Sequence, residues 1–141
     1  GPLGYLQGLS IRLGRLPADQ PRFTGDLPAT LPRVDVLPGY AGAPAELIDQ
    51  SPAAALVLAL AGHGSVPEAW LPALARARDR GVVVVRASRV PSGGVFPNAN
   101  FSDDAHGTLA AGPHSAWQAR IIAMLALARG MDPGQLQAAL L

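Results

Sequence analysis

The sequence predicts an α/β domain built on a parallel sheet, and three stretches predict it. Residues 54 to 60 form a continuous apolar run, residues 82 to 85 are four valines, and between them lie a glycine-flanked loop and a helical pattern. A strand without polar alternation is covered on both faces, the condition of an interior parallel strand. Two such strands joined through a helix make a βαβ unit, whose crossover lays the helix against the sheet. At 141 residues the chain is long enough to bury a core of this kind.

Composition narrows the chemistry. The chain is 49% hydrophobic but only 5% aromatic, so its core is expected to be Ala, Val and Leu. Eleven basic and ten acidic residues give a net charge of +1 and are scattered, so neither nucleic acid nor an anionic membrane surface is favoured as a partner. Every basic residue is Arg, which excludes a lysine nucleophile or Schiff base. Cysteine is absent, which excludes disulfides, thiolate metal sites and a cysteine nucleophile and leaves the compartment open. No stretch reaches the length of a membrane span and no secretory leader pattern opens the sequence.

Taken in order, Gly1 to Gly4 match the remnant of a cleaved expression tag, residues 5 to 13 suggest two short extended pieces with a turn near Gln7-Gly8, and residues 14 to 32 are rich in Pro, Gly and Arg. Residues 1 to 30 therefore read as a linker or arm, and residues 31 to 141 as the organised domain. Val34 to Leu37 is a short strand, and Pro44 to Gln50 can make two helical turns. Ser65 and Glu68 have capping-box spacing, so a helix is expected from Val66 to Gly81, with Trp70, Leu71, Leu74 and Ala77 toward the sheet. After residues 82 to 85 comes a Pro-, Gly- and Asn-rich loop from Pro91 to Asn100, with no helical pattern before a last strand at Thr108 to Ala111. Ser115 with Gln118 starts a helix whose apolar stripe reads Ile121, Ile122, Leu125 and Ala128 and which Gly130 closes. Asp132-Pro133 with Gln135 starts another.

Strand and helix alternation makes this a small three-layer parallel-sheet domain, flavodoxin-like or Rossmann-like in plan, with about four strands and flanking helices. Ligands of such sheets approach the carboxyl ends of the strands, where Gly62-His63-Gly64, Arg86 to Arg89 and the loop before Thr108 converge. His63 reads either as a ligand-binding or acid/base side chain or as a polar residue kept for its turn. The glycines lack the spacing of a nucleotide fingerprint. Asp103, Asp104 and His106 lack a third metal ligand at a recognised spacing and read as a solvated turn, and Ser88 lacks a nucleophile elbow. The residues give a site a location but no nucleophile.

Gly62-His63-Gly64-Ser65-Val66-Pro67-Glu68, then Val84 to Gly93 with Arg86-Ala87-Ser88-Arg89-Val90-Pro91, then Gly107 to Gly112, Gln118-Ala119-Arg120 and Asp132-Pro133 resemble, in order and spacing, the C-terminal domain of bacterial L-asparaginases. The opening Gly1 to Tyr5 resembles that family's exit from its N-terminal domain, which would make residues 1 to 4 native. The resemblance implies hydrolysis of L-asparagine to L-aspartate and ammonia by a threonine nucleophile in an N-terminal domain, with no metal or organic cofactor. It also implies a homotetramer in which the C-terminal domain closes a neighbouring subunit's active site. The implied partners are that N-terminal domain, the other subunits and a small amino-acid substrate. On this pattern Gly62 and Gly64 flank His63 where many members carry asparagine, and Asn100 stands where they carry glutamate. Those side chains help hold the substrate's α-amino group, so weaker or altered recognition is implied here. A non-catalytic α/β module that binds a small ligand or serves assembly is the alternative.

Overall fold

A computed structural model describes residues 4–7, 10–13, 23, 25–26 and 28–141. Strands β1 (Gly4–Gln7) and β2 (Ser10–Leu13) pair antiparallel, from Gly4 opposite Leu13 to Gln7 opposite Ser10, as the two short extended pieces expected of this stretch; the turn expected near Gln7-Gly8 falls partly outside the described residues. The expectations for residues 1–3 and for the linker at residues 14–22 lie outside the described residues.

The main sheet is four parallel strands in the order β3 (Val34–Pro38), β4 (Ala55–Leu60), β5 (Val83–Ser88), β6 (Thr108–Ser115). Helices α1 (Glu46–Gln50), α2 (Leu71–Asp79) and α3 (Asp103–His106) lie on the successive connections, and α4 (Ala116–Ala128) and α5 (Pro133–Leu140) close the chain. This is the three-layer α/β plan that the unbroken apolar strands predict. The last strand runs four residues past Ala111, and the one-turn α3 stands where no helix was expected.

Residue size divides the two faces of the sheet. In β4, Leu56, Leu58 and Leu60 point to one side with Ile48, Trp70, Ala73, Leu74 and Ala77 of α1 and the α2 region. The alternate residues Ala55, Val57 and Ala59 point to the other, against Ala116, Ala119, Ala123 and Ala126 of α4 and Leu136 and Leu140 of α5. Small residues on both sides of that interface let the backbone of α4 approach the sheet closely. On the other face the leucines leave space that Trp70, fully buried, fills, its indole N–H donating to the Ala43 carbonyl at 2.9 Å.

Two helix expectations are corrected by this packing. The buried stripe of α4 is its alanines, not the Ile121-Ile122-Leu125-Ala128 line, and Ile121 is 47% exposed. Because α4 is apolar nearly all round, hydrophobicity does not choose its face; the Ala/Val face of the sheet takes the helix's alanines, with the leucines of α5 filling in beside them. The Ser65–Glu68 capping box is also not formed. Pro67 is extended and caps a single 3-10 turn, Glu68–Trp70, and the α-helix proper begins at Leu71 with Pro72 in its first turn. The boxes predicted at Ser115/Gln118 and Asp132/Gln135 are both present.

The outer edge of β6 is closed by side chain and loop. The Gln137 amide pairs with both backbone groups of Ala110, at 2.8 and 2.9 Å, and Gly112 exchanges two 2.8 Å bonds with Val95, which hides an open edge. Gly112 has φ +59°, and a Cβ there would run into the Leu140 carbonyl, so both conformation and space demand glycine.

One charged pair is buried in this apolar core. Arg86, on β5, is 0% exposed and Asp103, at the start of α3, 3%. Their contact is bidentate, Nε to Oδ1 and Nη2 to Oδ2, both at 2.6 Å. Asp103 also accepts from the Thr108 hydroxyl at 2.5 Å and the Asn98 backbone N–H at 2.9 Å. Burial pushes the Asp103 carboxyl up, but bonds from Arg86, Thr108 and Asn98 and the Arg86 charge outweigh it and hold the carboxyl below the usual range. The solvated-turn reading of this acidic segment is thus corrected at Asp103: an arginine inside a buried strand requires a buried carboxylate. Removing one partner leaves the other charge uncompensated, so Arg86→Met should cost about 3–5 kcal/mol in urea denaturation, and Arg86→Met with Asp103→Leu distinctly less. Because the folded carboxyl titrates low, its contribution is complete above the ordinary value of about 3.9 and is lost as pH falls through the folded value. Asp103→Asn should therefore flatten the acid limb of the stability–pH curve below about pH 4.

Candidate functional site

At the carboxyl ends of β4, β5 and β6, two loops meet over Arg86. The first follows β4. Gly64 and Ser65 donate to the Ala61 carbonyl at 3.1 and 3.2 Å, a turn made possible by Gly62 and Gly64 at φ +53° and +75°. Gly64 is needed for space as well, since a Cβ would meet Val95 Cγ1 at 2.8 Å and Arg86 Nη1 at 3.0 Å. The second loop runs from Arg89 to Ser102 and carries Phe96, Asn98 and Asn100. Ser88 joins them from below, donating to the Gly62 carbonyl at 2.6 Å and accepting from the Val90 N–H at 3.0 Å.

Arg86 holds both loops at once. While Nε and Nη2 clamp Asp103, Nη1 donates to the Gly64 carbonyl at 2.8 Å and to that of His63 at 3.4 Å. Its guanidinium also lies over the Phe101 ring, 4.9 Å from the centroid. Through Asp103 it grips the Asn98 backbone, where the non-glycine φ of +54° is held by reciprocal bonds between the Asn98 amide and Asp104. Phe101 in turn stacks on His106 at 4.6 Å.

Each of the two side chains singled out from sequence bonds across to the other loop. The Phe96 N–H donates to His63 Nε2 at 3.2 Å, with the two rings 5.9 Å apart. Asn100 Nδ2 donates to Ser65 Oγ at 3.2 Å, which is where the hydroxyl expected to cap a helix is spent. A bond accepted at Nε2 puts the proton of a neutral imidazole on Nδ1, so His63 presents a donor. Asn100, with its amide nitrogen engaged, has Oδ1 left as an acceptor. Arg86 is neutralised by Asp103, so the corner offers neutral hydrogen-bonding groups. Gly62 and Gly64 shape the turn and bring no side chain.

Sequence reasoning placed Arg86 to Arg89 and the loop before Thr108 at this edge but gave Arg86 and Phe96 no role, weighed Ser88 only as a nucleophile and read Asp103 as a solvated turn. For Arg86 a signal existed, since an arginine directly after four valines of an interior strand has to find an anion, and Asp103 and Asp104 are the acidic residues of the neighbouring loop. Phe96 acts through its backbone, which no side-chain pattern reveals. A cleft of about 310 Å³ lies beside the first loop, lined by Tyr40, Ala61, Ser65, Trp70 and Arg89 among others. His63 and Asn100 do not line it. Nothing in the corner is arranged as a nucleophile with a base, because the Ser88 hydroxyl is committed to the Gly62 carbonyl and the Ser65 hydroxyl is bonded to Asn100.

Comparison with known proteins agrees with this architecture. The chain is 34% identical over 146 residues to L-asparaginase 2 of Escherichia coli (strain K12), an overlap covering 97% of the chain and 41% of that protein. It is 33% identical over 144 residues to the probable periplasmic L-asparaginase of Haemophilus influenzae, covering 97% of the chain and 41% of the relative. To the glutaminase-asparaginase of Pseudomonas fluorescens biotype A it is 33% identical over 145 residues, covering 97% and 40%. The chain thus spans about two fifths of the length of these relatives. The profile of the Glutaminase/Asparaginase C-terminal domain matches residues 33–140, and the chain belongs to that family.

Proposed function

We propose that this chain is the C-terminal domain of an amidohydrolase that converts L-asparagine to L-aspartate and ammonia, and that it completes the active site of a neighbouring subunit and supports oligomerisation. In this reading residues 1–30 lead out of an N-terminal domain that supplies the nucleophile, and residues 31–141 are the assembled module. The observation that supports it is that His63 and Asn100 sit on two loops that they cross-link at the carboxyl edge of the sheet, His63 through the Phe96 N–H and Asn100 through the Ser65 hydroxyl. A corner with recognition groups and no nucleophile fits a half-site that needs a second surface.

Asn100 Oδ1 can accept a hydrogen bond from the substrate's α-ammonium. His63, with Nε2 occupied by Phe96, offers only its Nδ1–H and cannot accept there. Ammonium recognition then rests on one neutral amide. A carboxylate at position 100 would make the contact charge-assisted, a difference of roughly 1.5–3 kcal/mol where water is excluded. In the full-length protein, Asn100→Glu with His63→Asn should raise kcat/KM for L-asparagine roughly tenfold to a hundredfold, and an unchanged kcat/KM would contradict this placement. The 141-residue chain alone should release no ammonia from L-asparagine, and measurable release would contradict the assignment of the nucleophile to another domain.

A further inference from the structure

We infer that Arg86 is a positioning residue of the half-site, acting on substrate only through His63 and Asn100; this rests on the reading that those two side chains face the substrate. Arg86 is wholly buried inside β5 and does not reach the open corner. It bonds the first loop directly and is tied to the second through Asp103, a more deeply buried link than the one Ser88 makes between the Gly62 carbonyl and the Val90 N–H. On one side Nη1 takes the carbonyls of His63 and Gly64. On the other, Nε and Nη2 hold Asp103, which accepts the Asn98 N–H two residues before Asn100.

One planar guanidinium thus ties the first loop to the carboxylate that holds the second. Its fork makes two bonds to Asp103 and two to the carbonyls of the glycine turn, and its face lies on Phe101, next to Asn100 in the chain. The bonds at the surface, Phe96 to His63 and Asn100 to Ser65, are each 3.2 Å and lie at exposed positions. They can form in this register only if the buried clamp has already placed the backbones. A lysine at position 86 keeps a cation for Asp103 but has a single ammonium, which cannot span both the carboxylate and the Gly64 carbonyl with planar fork geometry. The loops would then lose their fixed separation while the pair's charge balance survives.

This predicts a specific pattern of coupling in the full-length protein assayed for L-asparagine hydrolysis. Arg86→Lys should raise KM about tenfold and change kcat less than about twofold, because the reacting groups lie in another domain. In a His63→Ala/Asn100→Ala background the same substitution should add less than about a twofold further rise, since the groups it positions are gone. A general structural role would instead multiply KM by the same factor in both backgrounds, or lower kcat alone, and either result overturns the inference. If His63→Ala/Asn100→Ala itself leaves KM unchanged, the half-site reading fails and the inference falls with it. If that pair raises KM and Arg86→Lys is additive or silent, the inference fails alone. Should Arg86→Lys not assemble, Asp103→Asn, which leaves Arg86 in place and removes half of its clamp, is read against the same two backgrounds with the same outcomes.

Discussion

The bidentate contact between Arg86 and Asp103 determines how the functional edge of this domain is built. A guanidinium inside a strand is unfavourable unless its hydrogen bonds are met, and here Asp103, two carbonyls and an aromatic face meet them. Meeting them requires the loop after β4 to fold down onto Nη1 and the loop after β5 to return Asp103 to the sheet. The one-turn helix α3, the left-handed Asn98 and the glycine at position 64 all follow from that requirement. No buried side-chain polar atom among the described residues lacks a partner, as a network of this kind must satisfy to be stable.

The rest of the fold provides a rigid base for this node. Large side chains go to the α2 face of the sheet and small ones to the α4 face, so the two layers are held at different depths by residue size. Gln137 and Val95 cover the free edge of β6.

Much of the fold was legible because period and run length carry it. The unbroken apolar runs of β4 and β5 could only be interior parallel strands, and two of the three predicted capping boxes form. The third, at Ser65, failed because Pro67 and Pro72 delay the helix and because a residue 35 positions away, Asn100, takes the hydroxyl. The α4 face was misread because pattern reasoning ranks residues by hydrophobicity, while the sheet selected by size. The site was legible unevenly. Gly62, His63 and Gly64 were conspicuous in sequence, and Asn100 stood out only through family resemblance. The bonds that join them depend on backbone N–H and carbonyl groups and on a buried arginine, none of which leaves a spacing signature.

The two loops should form one cooperative unit with the strand that carries Arg86. Native-state amide hydrogen exchange on the Phe96 and Asn98 amides tests it most directly, since these N–H groups bond to His63 Nε2 and the Asp103 carboxylate. Asn98 should open at a free energy close to that of the β5 amides, with Phe96 protected well above an ordinary surface loop. Exchange of both at the unprotected rate of exposed loop backbone, with β5 still protected, would contradict it.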